Sequence, residues 1–460
     1  MTEIHDETTI AAISTPTGTG GIGIIRVSGP DAVRIVDQVF GLSAKRKLLS
    51  KAQTHTIHYG YIYDRDQTVD QVLVMLMRAP RSYTGEDTVE VQCHGGPYVM
   101  QRILEVLFRA GAVPADRGEF SKRAFLHGKM DLTQAEAVMD LITSESRLEH
   151  EASMNQLKGY LARRIDDVSS RLLDLTTLIE VNLDYPEYDV EEVTRERLAA
   201  DTASILSSLQ ELYRTSDDGI RIKEGVRTVI LGRPNVGKSS LMNQMLGVDR
   251  AIVTEIPGTT RDVLEEKAEC HGVPLRLIDT AGLRETSDPV EQIGVERALS
   301  RLQEADLVLW MIDGTDPQYD DLPDIISQKP CLILINKSDQ VPEEQHHLSI
   351  PGVDPEKILW ISAKTGFHLD ELGEKIQSMF WSGDFSADDH PMITNLRQKD
   401  ALRRAIESLK SALIAIQTGY AEDLIMIDYT EAYDALGEIS GRTLGSDVID
   451  AIFEQFCLGK

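Results

Sequence analysis

Gly232-Arg233-Pro234-Asn235-Val236-Gly237-Lys238-Ser239-Ser240 decides the fold of the middle of the chain. It reads G-x-x-x-x-G-K-S, with Val229-Ile230-Leu231 before it and Leu241-Met242-Asn243-Gln244-Met245-Leu246 after it. Strand, glycine loop and helix in that order are what a phosphate-binding loop requires. Glycines let backbone N–H groups turn inward around phosphate oxygens, and the helix N-terminus adds a favourable dipole. Lys238 is placed to reach the terminal phosphates and the Ser239 hydroxyl to ligate Mg²⁺. A glycine turn before any helix would carry the same pattern, so the decision rests on the surroundings.

Outward from this loop, short apolar runs recur at 228–231, 275–278, 307–312, 331–335 and 358–361. Such runs suit parallel strands buried on both faces. Helical patterns lie between most of them, which predicts a doubly wound α/β sheet with its chemistry at the C-terminal strand ends. Asp279-Thr280-Ala281-Gly282 closes one run: the carboxylate can hold Mg²⁺ through water and the Gly282 N–H can sense a γ-phosphate. Asn336-Lys337-Ser338-Asp339 closes another, and its Asp339 carboxylate suits the paired donors of a guanine edge, which adenine lacks. Ser362-Ala363-Lys364 closes the last, where a backbone N–H can meet guanine O6. Pro257-Gly258-Thr259-Thr260-Arg261-Asp262 lies between the first two motifs, and a Thr hydroxyl there can complete a Mg²⁺ shell. Four motifs in this order, each at a strand end, point to GTP.

Two features bear on hydrolysis. Leu283 follows the D-T-A-G motif where many GTPases carry a water-orienting Gln. Leucine cannot orient water, which leaves Glu285, Asp288 and Glu291 as candidates. No arginine finger is evident: Arg261 and Arg284 are available, as is a monovalent cation beside Asn235.

The chain has 460 residues, 47 basic and 75 acidic, for a net charge of −28. About three domains are expected at roughly 150 residues each. A long-range positive field for nucleic acid is absent, so RNA contact needs a local patch or a partner's surface. Residues 1–10 carry three acidic residues and no long apolar core, unlike a signal peptide. No run approaches the ~20 apolar residues of a membrane span. Cys93, Cys270, Cys331 and Cys457 are scattered, so neither a zinc site nor a disulfide framework is indicated. A cytoplasmic protein is expected.

Residues 1–125 mix strands, expected at 9–14, 22–28, 55–63, 72–77 and 88–92, with helices at 31–40 and 97–110. Gly18-Thr19-Gly20-Gly21-Ile22-Gly23 matches a dinucleotide fingerprint but runs on into a strand, so a tight turn is the reading. Ser82-Tyr83-Thr84-Gly85-Glu86-Asp87 and Arg117-Gly118-Glu119-Phe120 are denser in polar groups than a core needs. They read either as solvated loops or as a pocket for a small anion. From about 126 the pattern is helical: a capping box at Thr133-x-x-Glu136, an amphipathic run over 148–183 interrupted only by Gly159, and a further helix over 195–213. Helices return at 393–417, 423–439 and 446–456, the last with Ser446 as N-cap. Amphipathic helices on both flanks imply that residues 223–387 are inserted into one helical domain, coupling nucleotide state to helix arrangement. The terminal Cys457-Leu458-Gly459-Lys460 holds a thiol beside a flexible Gly and a Lys.

Gly18-Thr19-Gly20-Gly21-Ile22-Gly23-Ile24-Ile25-Arg26-Val27-Ser28-Gly29, Thr84-Gly85-Glu86-Asp87, His94-Gly95-Gly96-Pro97, Arg117-Gly118-Glu119-Phe120 and the terminal C-x-G-K carry a resemblance. With the G motifs in their order, nearly the whole chain is similar to the MnmE (TrmE) family of tRNA modification GTPases. The resemblance implies an N-terminal α/β tetrahydrofolate-binding-like domain over 1–125 that forms a homodimer. It implies a discontinuous helical domain over 126–222 and 388–460, and an inserted Ras-like doubly wound G domain over 223–387.

It further implies work with a FAD-dependent partner, MnmG, as a heterotetramer that uses NADH. Together they would add an aminomethyl or carboxymethylaminomethyl group to C5 of the wobble uridine of certain tRNAs. A 5,10-methylene- or 5-formyl-tetrahydrofolate would carry the one-carbon unit, and glycine or ammonium would give the amine. Folate contacts carry over to Arg26, Glu90, Lys129 and Lys460. GTP contacts carry over to Asn235, Val236, Gly237, Lys238, Ser239 and Ser240, to Thr254-Glu255-Ile256-Pro257-Gly258-Thr259-Thr260, to Asp279, Thr280, Ala281 and Gly282, to Asn336, Lys337 and Asp339, and to Ser362, Ala363 and Lys364. Mg²⁺ falls to Ser239 and Thr260, and K⁺ to Asn235, Thr254, Ile256 and Thr259, the cation replacing an arginine finger. Glu291 becomes the water-orienting residue, Cys457 a residue of the modification chemistry, and the G domains are expected to dimerise across their nucleotides. The competing reading is a GTP switch that binds RNA or assists ribosome assembly with no modification chemistry. It would call for a basic appendage, which this acidic chain lacks.

Overall fold

Along Gly23-Ile24-Ile25-Arg26-Val27-Ser28 the side chains alternate, with Ile25 and Val27 fully buried and Arg26 on the opposite face. That alternation sets the first sheet. The computed structural model describes residues 8–16, 18–42, 45–46, 49–184, 195–246, 266–278, 304–318, 329–381 and 391–460. The chain divides into two compact units: Met1–Met139 with Ile165–Leu173 and Thr430–Lys460, and Asp140–Arg164 with Asp174–Tyr429.

In the first unit the strands are β1 (Ile10–Ile13), β2 (Gly23–Ser28), β3 (Phe40–Leu42), β4 (Lys45–Arg46), β5 (Thr56–Asp64), β6 (Gln67–Met77), β7 (Thr88–Cys93) and β8 (Val113–Pro114). They form one sheet of order β4-β3-β5-β6-β7-β2-β1-β8, antiparallel except for the β1–β8 pair. Helices Ala32–Val39 and Pro97–Arg109 bury Ile35, Val36, Ile103 and Leu107 against Val27, Val74, Leu76, Val89 and Val91. The glycine-rich stretch before β2 is a turn, as expected: Gly20 N–H donates to Gly95 O at 3.1 Å, and the chain then enters a strand. A side chain at Gly95 would meet Gly20 O at 2.6 Å, so the two glycine segments need each other's bareness.

Part of the polar stretches 82–87 and 117–123 is a buried network. Arg123 is buried and pairs with Glu86 at 2.9 Å and Glu119 at 2.8 Å. The second Glu86 oxygen accepts from Ser28 Oγ at 2.7 Å, and Ser28 contacts Thr84 at 2.7 Å. A buried ion pair contributes little net energy, but breaking one side strands a charge, which costs about 3–5 kcal/mol. Arg123→Leu is therefore expected to destabilise the first unit by about that amount, and Arg123→Met with Glu86→Leu by clearly less. Hydrogen exchange of β2 and β7 in denaturant checks this, because Trp310, Trp360 and Trp381 all lie in the second unit.

The same unit holds the C-terminal helix Ser446–Phe453, whose Ile449 and Phe453 pack with Leu132, Ala135 and Phe456. Ser446 is its first helical residue rather than its N-cap: Gly445 takes that place, and the Ser446 hydroxyl turns to Asp447. The expected capping box is also shifted. Asp131 accepts from Thr133 N–H at 2.7 Å and Gln134 N–H at 3.1 Å, and Gln134 accepts from Asp131 N–H at 3.1 Å, so the reciprocal pair is Asp131 with Gln134 and not Thr133 with Glu136.

In the second unit β9 (Val226–Gly232), β10 (Glu266–Cys270), β11 (Val273–Leu277), β12 (Leu307–Asp313), β13 (Cys331–Asn336) and β14 (Ile358–Trp360) form a sheet of order β10-β11-β9-β12-β13-β14. All neighbours are parallel except the β10–β11 hairpin. Ile230, Leu309, Leu332 and Leu334 face one core, and Val229, Val308 and Ile333 face clusters on the other side. Both faces are thus apolar, as the continuous runs require.

The helical part of this unit differs from the expected single run over 148–183. Arg147–Leu157 and Tyr160–Asp184 are separate helices, broken at Gly159, whose φ of 77° is left-handed. Helix Arg195–Arg214 packs along helix Leu396–Thr418, and its Thr202 hydroxyl meets the buried Tyr429 hydroxyl. Helix Ser216–Glu224 leads directly into β9. Segments from both sides of the nucleotide sheet therefore pack on one another. Among the described residues no helix is long and apolar enough to cross a membrane.

Candidate nucleotide site and candidate anion pocket

β9 ends at Gly232, and helix Lys238–Leu246 begins at the loop's far side. Two glycines make the bend possible. A Cβ on Gly232 would meet Met311 O at 2.4 Å, and one on Gly237 (φ 101°) would meet Asn336 Nδ2 at 2.2 Å. Asn235 is exposed and left-handed, with φ 63°. Lys238 Nζ donates to Gly232 O at 2.9 Å and Arg233 O at 2.7 Å, so its ammonium already spans the loop where a terminal phosphate would compete for it. Ser239 and Ser240 are exposed at the start of the helix.

The other described loops close on this one. Asn336 Nδ2 donates to Val236 O at 2.7 Å, and Asn336 Oδ1 accepts from Ala363 N–H at 2.8 Å. The Asn336 side chain thus binds the phosphate loop to the S-A-K loop. Ser362 Oγ donates to Asp339 Oδ1 at 2.7 Å, which fixes the carboxylate meant for the guanine edge. Lys364 is exposed beside it. Gly237→Ala is expected to weaken nucleotide binding by about tenfold or more, because it adds strain and displaces Asn336 together. Titration with a fluorescent GDP analogue checks this.

The bridged loops fit a guanine nucleotide on chemistry: one cation for phosphate and one oriented carboxylate. Thr254, Glu255, Ile256, Pro257, Gly258, Thr259, Thr260, Arg261, Asp279, Thr280, Ala281, Gly282, Leu283, Arg284, Glu285, Asp288 and Glu291 lie outside the described residues. Of the cation ligands read from sequence, Ser239 and Asn235 are described.

The first unit holds a second candidate site. Arg26 Nε pairs with Glu90 Oε1 at 2.9 Å across the β2–β7 register. The guanidinium lies over the rings of Tyr83, at 5.1 Å, and Phe120, at 5.5 Å. The C-terminal residues reach this place. Arg117 bridges Leu458, Ser14 Oγ donates to Gly459 O at 3.0 Å, and Arg26 Nη1 donates to the same oxygen at 3.4 Å. Gly459 is left-handed (φ 88°), and a Cβ there would meet Ile13 O at 2.3 Å. Burial, and then the charge of Arg26, push the Lys460 ammonium below its ordinary pKa, against the opposing pull of Glu90. Two cations and one carboxylate on an aromatic floor suit an aromatic ligand with an anionic tail. Lys129 Nζ donates instead to Pro80 O at 3.0 Å. Cys457 is exposed at the rim, whereas burial pushes Cys93 up to about 11 and Cys270 and Cys331 up to about 12. Tyr83 and Phe120 were missed as site residues. Both sit in the two polar stretches already singled out, and an aromatic amid such polarity was the available signal.

A phosphate loop at the end of a parallel strand, with N-K-S-D and S-A-K loops docked on it, defines a GTPase of the P-loop class. Residues 9–129 match the model described as GTP-binding protein TrmE N-terminus, and residues 132–457 match that of the MnmE helical domain. The tRNA modification GTPase MnmE of Alkaliphilus metalliredigens is 45% identical over 457 residues, covering 98% of this chain and 99% of that protein. Those of Lachnoclostridium phytofermentans (45% identical, 98% and 99% covered) and Acetivibrio thermocellus (44% identical, 99% and 100% covered) are alike in extent. The chain belongs to the MnmE family of tRNA modification GTPases.

Proposed function

We propose that this chain hydrolyses GTP and, with an MnmG-type FAD protein that uses NADH, installs an aminomethyl or carboxymethylaminomethyl group at C5 of the wobble uridine of certain tRNAs. The observation that carries the reading beyond a plain GTP switch is the docking of Gly459 and Lys460 beside Arg26 and Glu90. A ribosome-assembly switch has no use for such a pocket. A tetrahydrofolate derivative fits it: Arg26 and Lys460 would hold the anionic tail, Glu90 would accept from the ring amines, and the folate supplies the one-carbon unit when bound. Lys129 belongs to this reading on resemblance alone.

In the nucleotide site Lys238 would hold the terminal phosphates and Asp339 the guanine. Ser239 with Thr260 would hold Mg²⁺, and Asn235 with Thr254, Ile256 and Thr259 would hold K⁺. Such cations, when bound, offset charge that develops on the phosphates. Glu291 would orient the attacking water and Cys457 would serve the modification step. The organisation proposed with this is an N-terminal dimerising domain over 1–125, a helical domain from 126–222 and 388–460, and an inserted G domain over 223–387 that pairs with a second copy. The assembly would be a homodimer within a heterotetramer, in the cytoplasm, a location supported by four free thiols.

Turnover of GTP in K⁺ against Na⁺ tests the cation assignment. A rate at least about tenfold higher in K⁺ is expected, and Glu291→Ala should remove turnover by on the order of 10²-fold while GTP still binds. Equal rates in the two salts would sink the cation assignment.

A further inference from the structure

The strand between the D-T-A-G and N-K-S-D motifs, β12, ends at Asp313 and runs into the turn Gly314-Thr315, which the nucleotide reading did not use. This turn grips the N-K-S-D loop at two points and is braced within itself at a third. Asp313 Oδ2 takes the Lys337 ammonium at 2.5 Å. Gly314 N–H donates to Asn336 O at 2.8 Å, and a Cβ on Gly314 would meet that oxygen at 2.7 Å. Asp313 Oδ1 accepts from Thr315 N–H at 3.0 Å and Thr315 Oγ1 at 2.7 Å, so the carboxylate is itself held on its other side.

The loop needs such a hold. Lys337 is left-handed, with φ 65°, a conformation disfavoured for a residue with a long side chain. It stands between Asn336, which ties down the phosphate loop, and Asp339, whose carboxylate Ser362 holds. Burial works against ionisation of Asp313, but its bonds from Lys337 and Thr315 outweigh that and keep its pKa below the usual carboxylate value. Asp313 is therefore ionised throughout the neutral range. A charge-assisted bond between two partly buried groups is stronger than a neutral one.

We propose that Asp313, oriented by Thr315, is a positioning residue for guanine-nucleotide binding: it holds Lys337 and with it the N-K-S-D loop in the shape that receives the base. This rests on the GTP reading of the site. Because it acts on the base end, it predicts equal effects on GDP and GTP and none on the hydrolytic step itself.

The test is release of a methylanthraniloyl-GDP from the full chain, with steady-state GTP turnover, for Asp313→Asn and Thr315→Val. Asp313→Asn is expected to speed release about tenfold and raise KM for GTP by a similar factor, with kcat within about twofold. Thr315→Val, which leaves Lys337 its partner, should speed release about threefold. Unchanged release in a folded Asp313→Asn protein, or a fall in kcat with KM unmoved, overturns the inference. If Asp313→Asn does not fold, unchanged release in Thr315→Val overturns it. A wild-type chain that retains no GDP would refute the GTP reading itself, an outcome distinct from the others.

Discussion

Lys238→Ala is expected to lower kcat/KM for GTP by on the order of 10²–10³-fold, the scale of removing one preorganised donor from a phosphoryl-transfer site. The expectation follows from where the ammonium sits. It donates to Gly232 O and Arg233 O, within reach of both the loop's start and its mouth. A phosphate offers it a charged acceptor in place of two neutral ones, so the contact strengthens as charge builds on the transferred group. The fold should survive, because Val236 O stays bonded to Asn336 and the β9–β12 register does not involve Lys238. Steady-state turnover with circular dichroism as the fold control checks this. A loss below about threefold would mean that the phosphates lie elsewhere.

Arg26→Ala is expected to weaken tetrahydrofolate binding by about 30-fold or more, since truncating one member of a partly buried charge pair costs about 2–5 kcal/mol. Glu90 would then face the pocket without its cation, and Gly459 O would lose a donor. Gly459→Val is the companion variant. It leaves Arg26 and Glu90 in place but cannot keep the tail against Ile13 O, so it isolates the contribution of Lys460. Equilibrium dialysis with 5-formyl-tetrahydrofolate checks both. Wild-type affinity in Arg26→Ala would move the folate elsewhere, and wild-type affinity in Gly459→Val would limit the tail to a structural role.

How much of this could be seen in the chain itself depended on the range of the forces involved. The parallel strands β12 and β13, with the apolar end of β9, announce themselves because burial on both faces demands continuous apolar runs. β10 does not: Glu266-Lys267-Ala268-Glu269-Cys270 is an edge strand with alternating polarity, and only its pairing with β11 makes it a strand. β4 and β8 are two residues each, too short for any period to register. The helix break at Gly159 was visible as a glycine, yet a tolerated glycine and a terminating one look the same until φ is known. The capping box slipped by two positions because Asp131 and Thr133 both qualify as caps, and the choice is made by geometry.

The phosphate loop was legible because its chemistry is contiguous. The buried Arg123–Glu86–Ser28 network was not, because its members come from three separate segments and each looks solvated in its own neighbourhood. The meeting of Gly459 with Ser14 and Arg26 spans more than four hundred residues, which no local pattern encodes, so the resemblance to a family was the only route to it. Asn336 shows the reverse limit. Its motif placed it at the end of β13, but only the structure revealed that its side chain holds two loops together.

The central claim is that GTP hydrolysis by this chain serves a uridine modification. Nucleoside mass spectrometry of bulk tRNA from cells lacking the protein, complemented with wild type, Lys238→Ala or Cys457→Ser, tests it most directly. The account predicts loss of C5-aminomethyl-type uridines in the deletion, full restoration by wild type, and none by Lys238→Ala or Cys457→Ser. Restoration by Cys457→Ser would remove that thiol from the chemistry and leave the rest standing. An unchanged nucleoside profile in the deletion would contradict the account and leave a GTPase with a different client.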